Sequence, residues 1–220
     1  MSRTGSSQFP QPSLRAKIVW SSFLASMTLM AGLLALGDHR ARPGFPATHT
    51  GLIGVSPARD PIFRIDAPLD RSRWKGIIIH HSGEPAGDAE SMRRLYLAYG
   101  FEGMGYHFLI GNGNGMGDGV IHVGERWVKQ LPGAHARGAQ AQYHNQHSIG
   151  LCLIGNGNRR PLTDRQMTQL ISLVRRLQRE LNIPASAVRL HRDVAPGSTD
   201  SPGEFFPAAQ LEQQLLNPLR

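Results

Sequence analysis

The sequence contains a single cysteine, Cys152, in 220 residues. That excludes an intramolecular disulfide and any metal site built from several thiolates, so stability must come from a core or from a metal held by other side chains. Acidic residues are also in short supply, 16 against 24 Lys+Arg, for a formal net charge of +8. Such an excess suits nucleic acid only when it is carried on a folded face. Before Gly76 there are 10 Lys+Arg against 4 Asp+Glu, a net of +6; from Gly76 onward there are 14 against 12, a net of +2. The folded part is therefore near neutral, which argues against a nucleic-acid partner.

Charge is missing altogether from Ile18 to Gly37, a run preceded by Arg15 and Lys17. A spanning helix needs about 20 apolar residues. The apolar part of a secretory signal usually has about 7–15 and ends at a small-x-small site. Ala35-Leu36-Gly37 is only a passable cleavage site, and the run lacks the polar face of a core helix. Residues 18–37 thus read as a transmembrane anchor or a signal sequence, with the anchor the better match. Residues 1–17 form a basic, polar cytoplasmic tail, and the rest of the chain lies on the extracytoplasmic side of the cell envelope. A cleaved signal would instead leave a secreted or periplasmic protein. Residues 38–73 carry Pro43, Pro46, Pro57, Pro61 and Pro68 without periodicity. They read as a Pro-rich linker with a short docked strand near Phe63 to Ile65.

From Trp74 to residue 220 the pattern is that of a compact α/β domain. Gly76 to His80 is apolar on both faces, as in a central strand. Asp88 caps a helix from Ala89 to Tyr99, with Met92, Leu95 and Tyr99 on one face. Tyr106 to Ile110, Gly119 to Val123, Ser148 to Ile154 and Val188 to His191 read as strands. Thr163 precedes an amphipathic helix over Asp164 to Leu181, and Pro207 to Leu216 reads as a closing helix. This order predicts a central mixed β-sheet flanked by helices. The Gly/Asn segment from Gly111 to Gly119 lacks the Lys-Ser/Thr or the helix start that a phosphate loop requires. A strand follows it, so it reads as a hairpin loop.

No nucleophile elbow and no Cys–His pair at a recognised spacing is present, which leaves a cysteine or serine hydrolase without support. Cys152, inside an apolar strand, reads as a small buried hydrophobe. Histidines are the promising residues: His80 and His191 each end a strand, where side chains can converge on one cleft. Their context is five segments in order: Ile78-Ile79-His80-His81-Ser82, Gly105-Tyr106-His107-Phe108-Leu109-Ile110, Gly133-Ala134-His135, Asn145-Gln146-His147-Ser148-Ile149-Gly150, and His191-Arg192-Asp193-Val194-Ala195-Pro196 followed by Ser201-Pro202-Gly203. Together these closely resemble the zinc-dependent N-acetylmuramoyl-L-alanine amidases, which include the peptidoglycan recognition proteins and the phage lysozyme-type amidases. The resemblance covers roughly Trp74 to Leu215.

That resemblance implies Zn2+ as cofactor, with His80 and His191 as ligands. The third ligand position, a cysteine or aspartate in the family, is Ser201 here. A neutral hydroxyl is a weak ligand, and Asp200 beside it is the alternative. The resemblance further implies catalytic roles for Tyr106 and Thr199, as hydrogen-bond donors to a developing oxyanion, and a substrate-binding role for His135. The implied activity is peptidoglycan hydrolysis, cutting the amide between N-acetylmuramic acid and L-alanine by zinc-activated water. Because serine at the third position also occurs in members that bind peptidoglycan without cutting it, a non-catalytic recognition module is the alternative. No Glu falls in the Ser148 to Ile154 strand, where some members place a general base. Expected partners are peptidoglycan or muropeptides, and the membrane through residues 18–37.

Overall fold

The computed structural model describes residues 61–215. Five strands form one sheet: β1 (Gly76–His81), β2 (Phe108–Ile110), β3 (Ile121–Val123), β4 (Ser148–Leu153) and β5 (Val188–Leu190). Their order is β3-β2-β4-β1-β5. β1 pairs in parallel with both β4 and β5, and β2 in parallel with β4, while β3 turns back antiparallel on β2. The sheet is mixed, as the sequence predicts. The Gly/Asn segment is the connection between β2 and β3.

The register places His80 opposite Cys152 and Ile78 opposite Gly150. Because successive side chains alternate, Ile77 and Ile79 face the main core while Ile78 and His80 face the other side. The main core joins Ile77, Ile79, Phe108, Ile110, Ile149, Leu151 and Leu153 to a long helix, α4 (Asp164–Leu181). That helix buries Met167, Leu170, Leu173, Val174, Leu177 and Leu181, a stripe at helical spacing. Its start is fixed by a capping box. Thr163 accepts from the Gln166 amide at 3.0 Å, and Gln166 in return accepts from the Thr163 amide at 3.3 Å. The buried Gln166 amide also donates to Ile110 O and Ile154 O, which ties the helix to the ends of β2 and β4. On the opposite face a smaller cluster of Met92, Tyr106, Leu109, Met116, Cys152 and Ile154 lies under α1 (Ala89–Ala98).

Several local readings change. The structure adds two short helices that the sequence pattern does not indicate, α2 (Glu125–Val128) and α3 (Ala141–His147). Neither is long enough to show a periodic stripe in the sequence. α1 ends at Ala98, so Tyr99 falls beyond it and is 67% exposed, and Tyr96 packs inward in its place. β2 starts at Phe108, leaving Tyr106 just ahead of the strand. His191 does not end β5 but opens a one-turn helix, α5 (His191–Val194); a last helix, α6 (Ala208–Leu215), closes the described chain. The expected strand near Phe63 to Ile65 is a 3-10 turn over Pro61–Phe63. Part of the segment read as linker packs on the domain: Ile62 is buried, and its carbonyl accepts from the Trp127 indole. Among the described residues no helix is long and apolar enough to cross a membrane. The run 18–37 lies outside them.

Candidate metal and catalytic site

The carboxyl ends of β1 and β5 bring His80 and His191 together, with ring centroids 4.3 Å apart. Both are buried. Burial is the main cause holding His80 well below the usual histidine range, and neighbouring His135, His191 and His81 add to it. Burial also pulls His191 down to about 4, with Arg137 the next cause. Both imidazoles are therefore neutral at pH 7, the form that offers a lone pair. The Nε2 atom of His191 is buried without a hydrogen-bond partner. An orphaned buried nitrogen is rare in native proteins and calls for an occupant.

His135 completes a cluster of three imidazoles. It is 4% exposed, and its Nε2 lies 3.1 Å from Ser148 O. A carbonyl only accepts, so Nε2 carries the proton and Nδ1 is left as an acceptor. The Nδ1 atom lies 3.1 Å from His80 Nε2, which must then donate. The chain of partners thus assigns His80 the Nε2–H tautomer and leaves its Nδ1 lone pair free. The ring of His135 sits in a cradle that only glycine permits. A Cβ on Gly150 would fall 2.4 Å from its Cδ2, and one on Gly133 would fall 2.3 Å from the same atom. Asn145 Oδ1 accepts from the amides of His135 and Ala136, fixing the loop.

Tyr106 lies against this cluster, 5.2 Å from His80 and nearly parallel to His135 at 6.3 Å. Burial raises its hydroxyl well above the usual tyrosine range, so it stays protonated. Tyr96 packs edge-on against Tyr106, with ring centroids 5.6 Å apart, and Cys152 lies in the same buried cluster. Cys152 is fully buried, and burial pushes its thiol up, as expected for an inert residue.

The third corner is Ser201, 5% exposed. Its Oγ accepts from the His81 amide at 3.0 Å, its amide donates to Thr199 Oγ1 at 3.1 Å, and its carbonyl accepts from the Arg192 amide at 2.8 Å. The Arg192 guanidinium donates to Gly203 O, and His81 Nδ1 accepts from the Gly157 amide. Asp200 stays exposed, with its charge felt at His81. Of the residues the sequence singles out, His80, His191, His135 and Tyr106 come together as neighbouring rings, while Ser201 joins them through the His81 amide and Thr199 through Ser201. The sequence did not single out His81, Tyr96 or Asn145, which act by holding them. Among the described residues no three His, Cys, Asp or Glu side chains are arranged to hold a metal. Two imidazoles fit zinc, and the third side chain at the corner is a neutral hydroxyl.

A family model described as N-acetylmuramoyl-L-alanine amidase matches residues 70–204. The endolysin of Enterobacteria phage T3 is 30% identical over 139 residues, covering 60% of this chain and 83% of the endolysin. Peptidoglycan-recognition protein SC2 of Drosophila melanogaster is 34% identical over 105 residues, or 47% of this chain; the match spans about half of that relative's length, 50%. Among solved structures, N-acetylmuramoyl-L-alanine amidase LysC from Clostridium intestinale superposes with a TM-score of 0.56 at 30% identity, covering 68% of this chain and 90% of that one.

Proposed function

The chain belongs to the N-acetylmuramoyl-L-alanine amidase family, and on that premise we propose that it hydrolyses the amide between N-acetylmuramic acid and L-alanine in peptidoglycan. The observation that carries this reading is the facing pair His80 and His191, both neutral, with the buried His191 Nε2 lacking a partner. In this reading His80 and His191 hold Zn2+, with Ser201 as a weak third contact. When bound, zinc supplies Lewis-acid activation of water and of the scissile carbonyl. Tyr106 keeps its proton and donates a hydrogen bond to the oxyanion. Thr199 accepts from the Ser201 amide through Oγ1, and its own hydrogen remains available to donate. One such donor is worth about 2.7–4 kcal/mol in other enzymes.

His135 is a positioning residue in this account rather than a direct substrate contact, because both ring nitrogens are taken by Ser148 O and His80. Outer partners of metal ligands typically contribute 10–100-fold in metal affinity. His135→Ala should therefore weaken zinc binding about 10–100-fold, and Gly150→Ala, which evicts the ring, should do the same. Zinc titration reads the affinity, and 15N chemical shifts of His80 read the loss of a fixed tautomer. Unchanged affinity with the tautomer retained would return His135 to the substrate.

The activity itself is tested by incubating the zinc-supplemented full chain with an N-acetylmuramoyl-peptide and following free peptide by mass spectrometry. Zinc-dependent release is expected. Ser201 favours a second reading, a recognition module; binding of the muropeptide without release would select it. The membrane role rests on the sequence of residues 18–37, an uncleaved anchor holding the domain on the extracytoplasmic side.

A further inference from the structure

Residue 201 is tied to the chain next to both histidines of the candidate site. The His81 amide donates to Ser201 Oγ at 3.0 Å, and the Arg192 amide donates to Ser201 O at 2.8 Å. His81 follows His80 directly, and Arg192 shares the one-turn helix α5 with His191. These two bonds use backbone amides and do not depend on the side chain at 192. The guanidinium adds a third tie that does. Its Nη1 donates to Gly203 O at 2.7 Å, so Arg192 grips the chain on both sides of Pro202. Among the described residues Arg192 forms no ion pair, so its side chain serves this turn rather than a carboxylate.

Between the two grips the chain turns tightly. The Gly203 amide donates to Asp200 O at 2.7 Å, and the Ser201 amide to Thr199 Oγ1 at 3.1 Å. A slip of one residue would carry Ser201 out and bring Asp200 in, but it would also pull Ser201 O and Gly203 O away from Arg192. Nor can the turn shift toward Gly157. The Gly157 amide donates to His81 Nδ1 at 3.0 Å, its carbonyl accepts from the Phe205 amide at 2.9 Å, and a Cβ on residue 157 would run into the Pro202 carbonyl oxygen. The outcome is a buried Ser201 beside an exposed Asp200.

We propose that Arg192 is a positioning residue whose guanidinium locks the 199–203 turn in the register that presents residue 201, rather than Asp200, to the metal. The proposal rests on the function stated above for zinc at His80 and His191. Its consequence is a coupling, since the value of a fixed turn depends on how strongly residue 201 binds. With the native hydroxyl, a weak ligand, loosening the turn costs little. With a thiolate at the same place it should cost about tenfold, the low end of what outer partners of metal ligands contribute.

The test is a double-mutant cycle of Ser201→Cys and Arg192→Met, the second keeping the length of the side chain and removing its donors. Zinc affinity of the full chain is read by chelator competition. Arg192→Met should weaken the Ser201→Cys variant about tenfold and the wild type by less than about twofold. Arg192→Lys, which keeps a donor for Gly203 O, should recover most of the loss. Co2+ in place of zinc gives a separate reading: the thiolate-to-metal charge-transfer band of the Ser201→Cys variant should weaken when Arg192→Met is added. If Arg192→Met fails to fold, Gly157→Ala displaces the turn from its other side and carries the same expectation. Equal losses in the two backgrounds, or no loss in the Ser201→Cys background, would overturn the proposal and leave the zinc reading standing. A Ser201→Cys variant no tighter than wild type would overturn the third corner and the proposal with it. Absence of zinc binding in every variant would overturn the proposed function as well.

Discussion

Ser201→Cys should raise the zinc affinity of the full chain by at least about 100-fold, above the roughly 10–100-fold that outer partners of a ligand contribute. The position is already built for a ligand. Ser201 is buried, and its backbone is held at both ends by Arg192 and Thr199. A sulfur placed there inherits a fixed location against the His81 amide, one residue on from His80. A thiolate is anionic and soft, and Cys with two His is an established zinc set, whereas a serine hydroxyl stays neutral. The hydrogen bond from the His81 amide, which Ser201 Oγ now accepts, would help hold the sulfur as thiolate. Competition against a chelator of known affinity reads the change. Asp200→Ala is the control and should leave affinity unchanged, since Asp200 is exposed. A Ser201→Cys variant no tighter than wild type would show that residue 201 does not face the metal.

The second large effect concerns stability. Trp127→Ala should destabilise the domain by about 3–5 kcal/mol, the usual cost of removing a buried aromatic side chain. Trp127 is fully buried and packs on three rings, Phe108 at 5.1 Å, Trp74 at 5.8 Å and Phe63 at 6.3 Å. Its indole donates to Ile62 O, so truncation also removes that hydrogen bond. Chemical denaturation with urea measures the loss. A cost below about 1 kcal/mol, within the range of surface substitutions, would mean that residues 62–63 do not close over this tryptophan.

The contrast between Trp127 and His80 shows what was legible in the sequence. His80 stands at the end of a doubly apolar run, and the run identifies itself as a central strand because both faces are buried. Trp127 sits in a single helical turn, too short to carry a period, and its partner Ile62 lies 65 residues away in a Pro-rich segment. Long-range packing of that kind leaves no local trace. The long helix over Asp164–Leu181 was readable to the residue, since its capping box and apolar stripe agree. The site residues came from segment order, yet their supports did not. Tyr96 was displaced by Tyr99 in the reading because the helix ends a residue earlier than periodicity alone indicates. The role of Gly150 as a floor for His135 depends on a loop crossing the strand, which no spacing encodes. Cys152 reads as a small buried hydrophobe and is one, packed in the cluster that holds Tyr106.

The proposed function makes His80 and His191 zinc ligands, with oxygen rather than sulfur completing the site. X-ray absorption at the zinc edge of the zinc-loaded full chain reads that ligand set. Two imidazole nitrogens at about 2.0–2.1 Å are expected, with the remaining ligands oxygen. A spectrum with no imidazole scattering, or one left unchanged by His191→Ala, would contradict it.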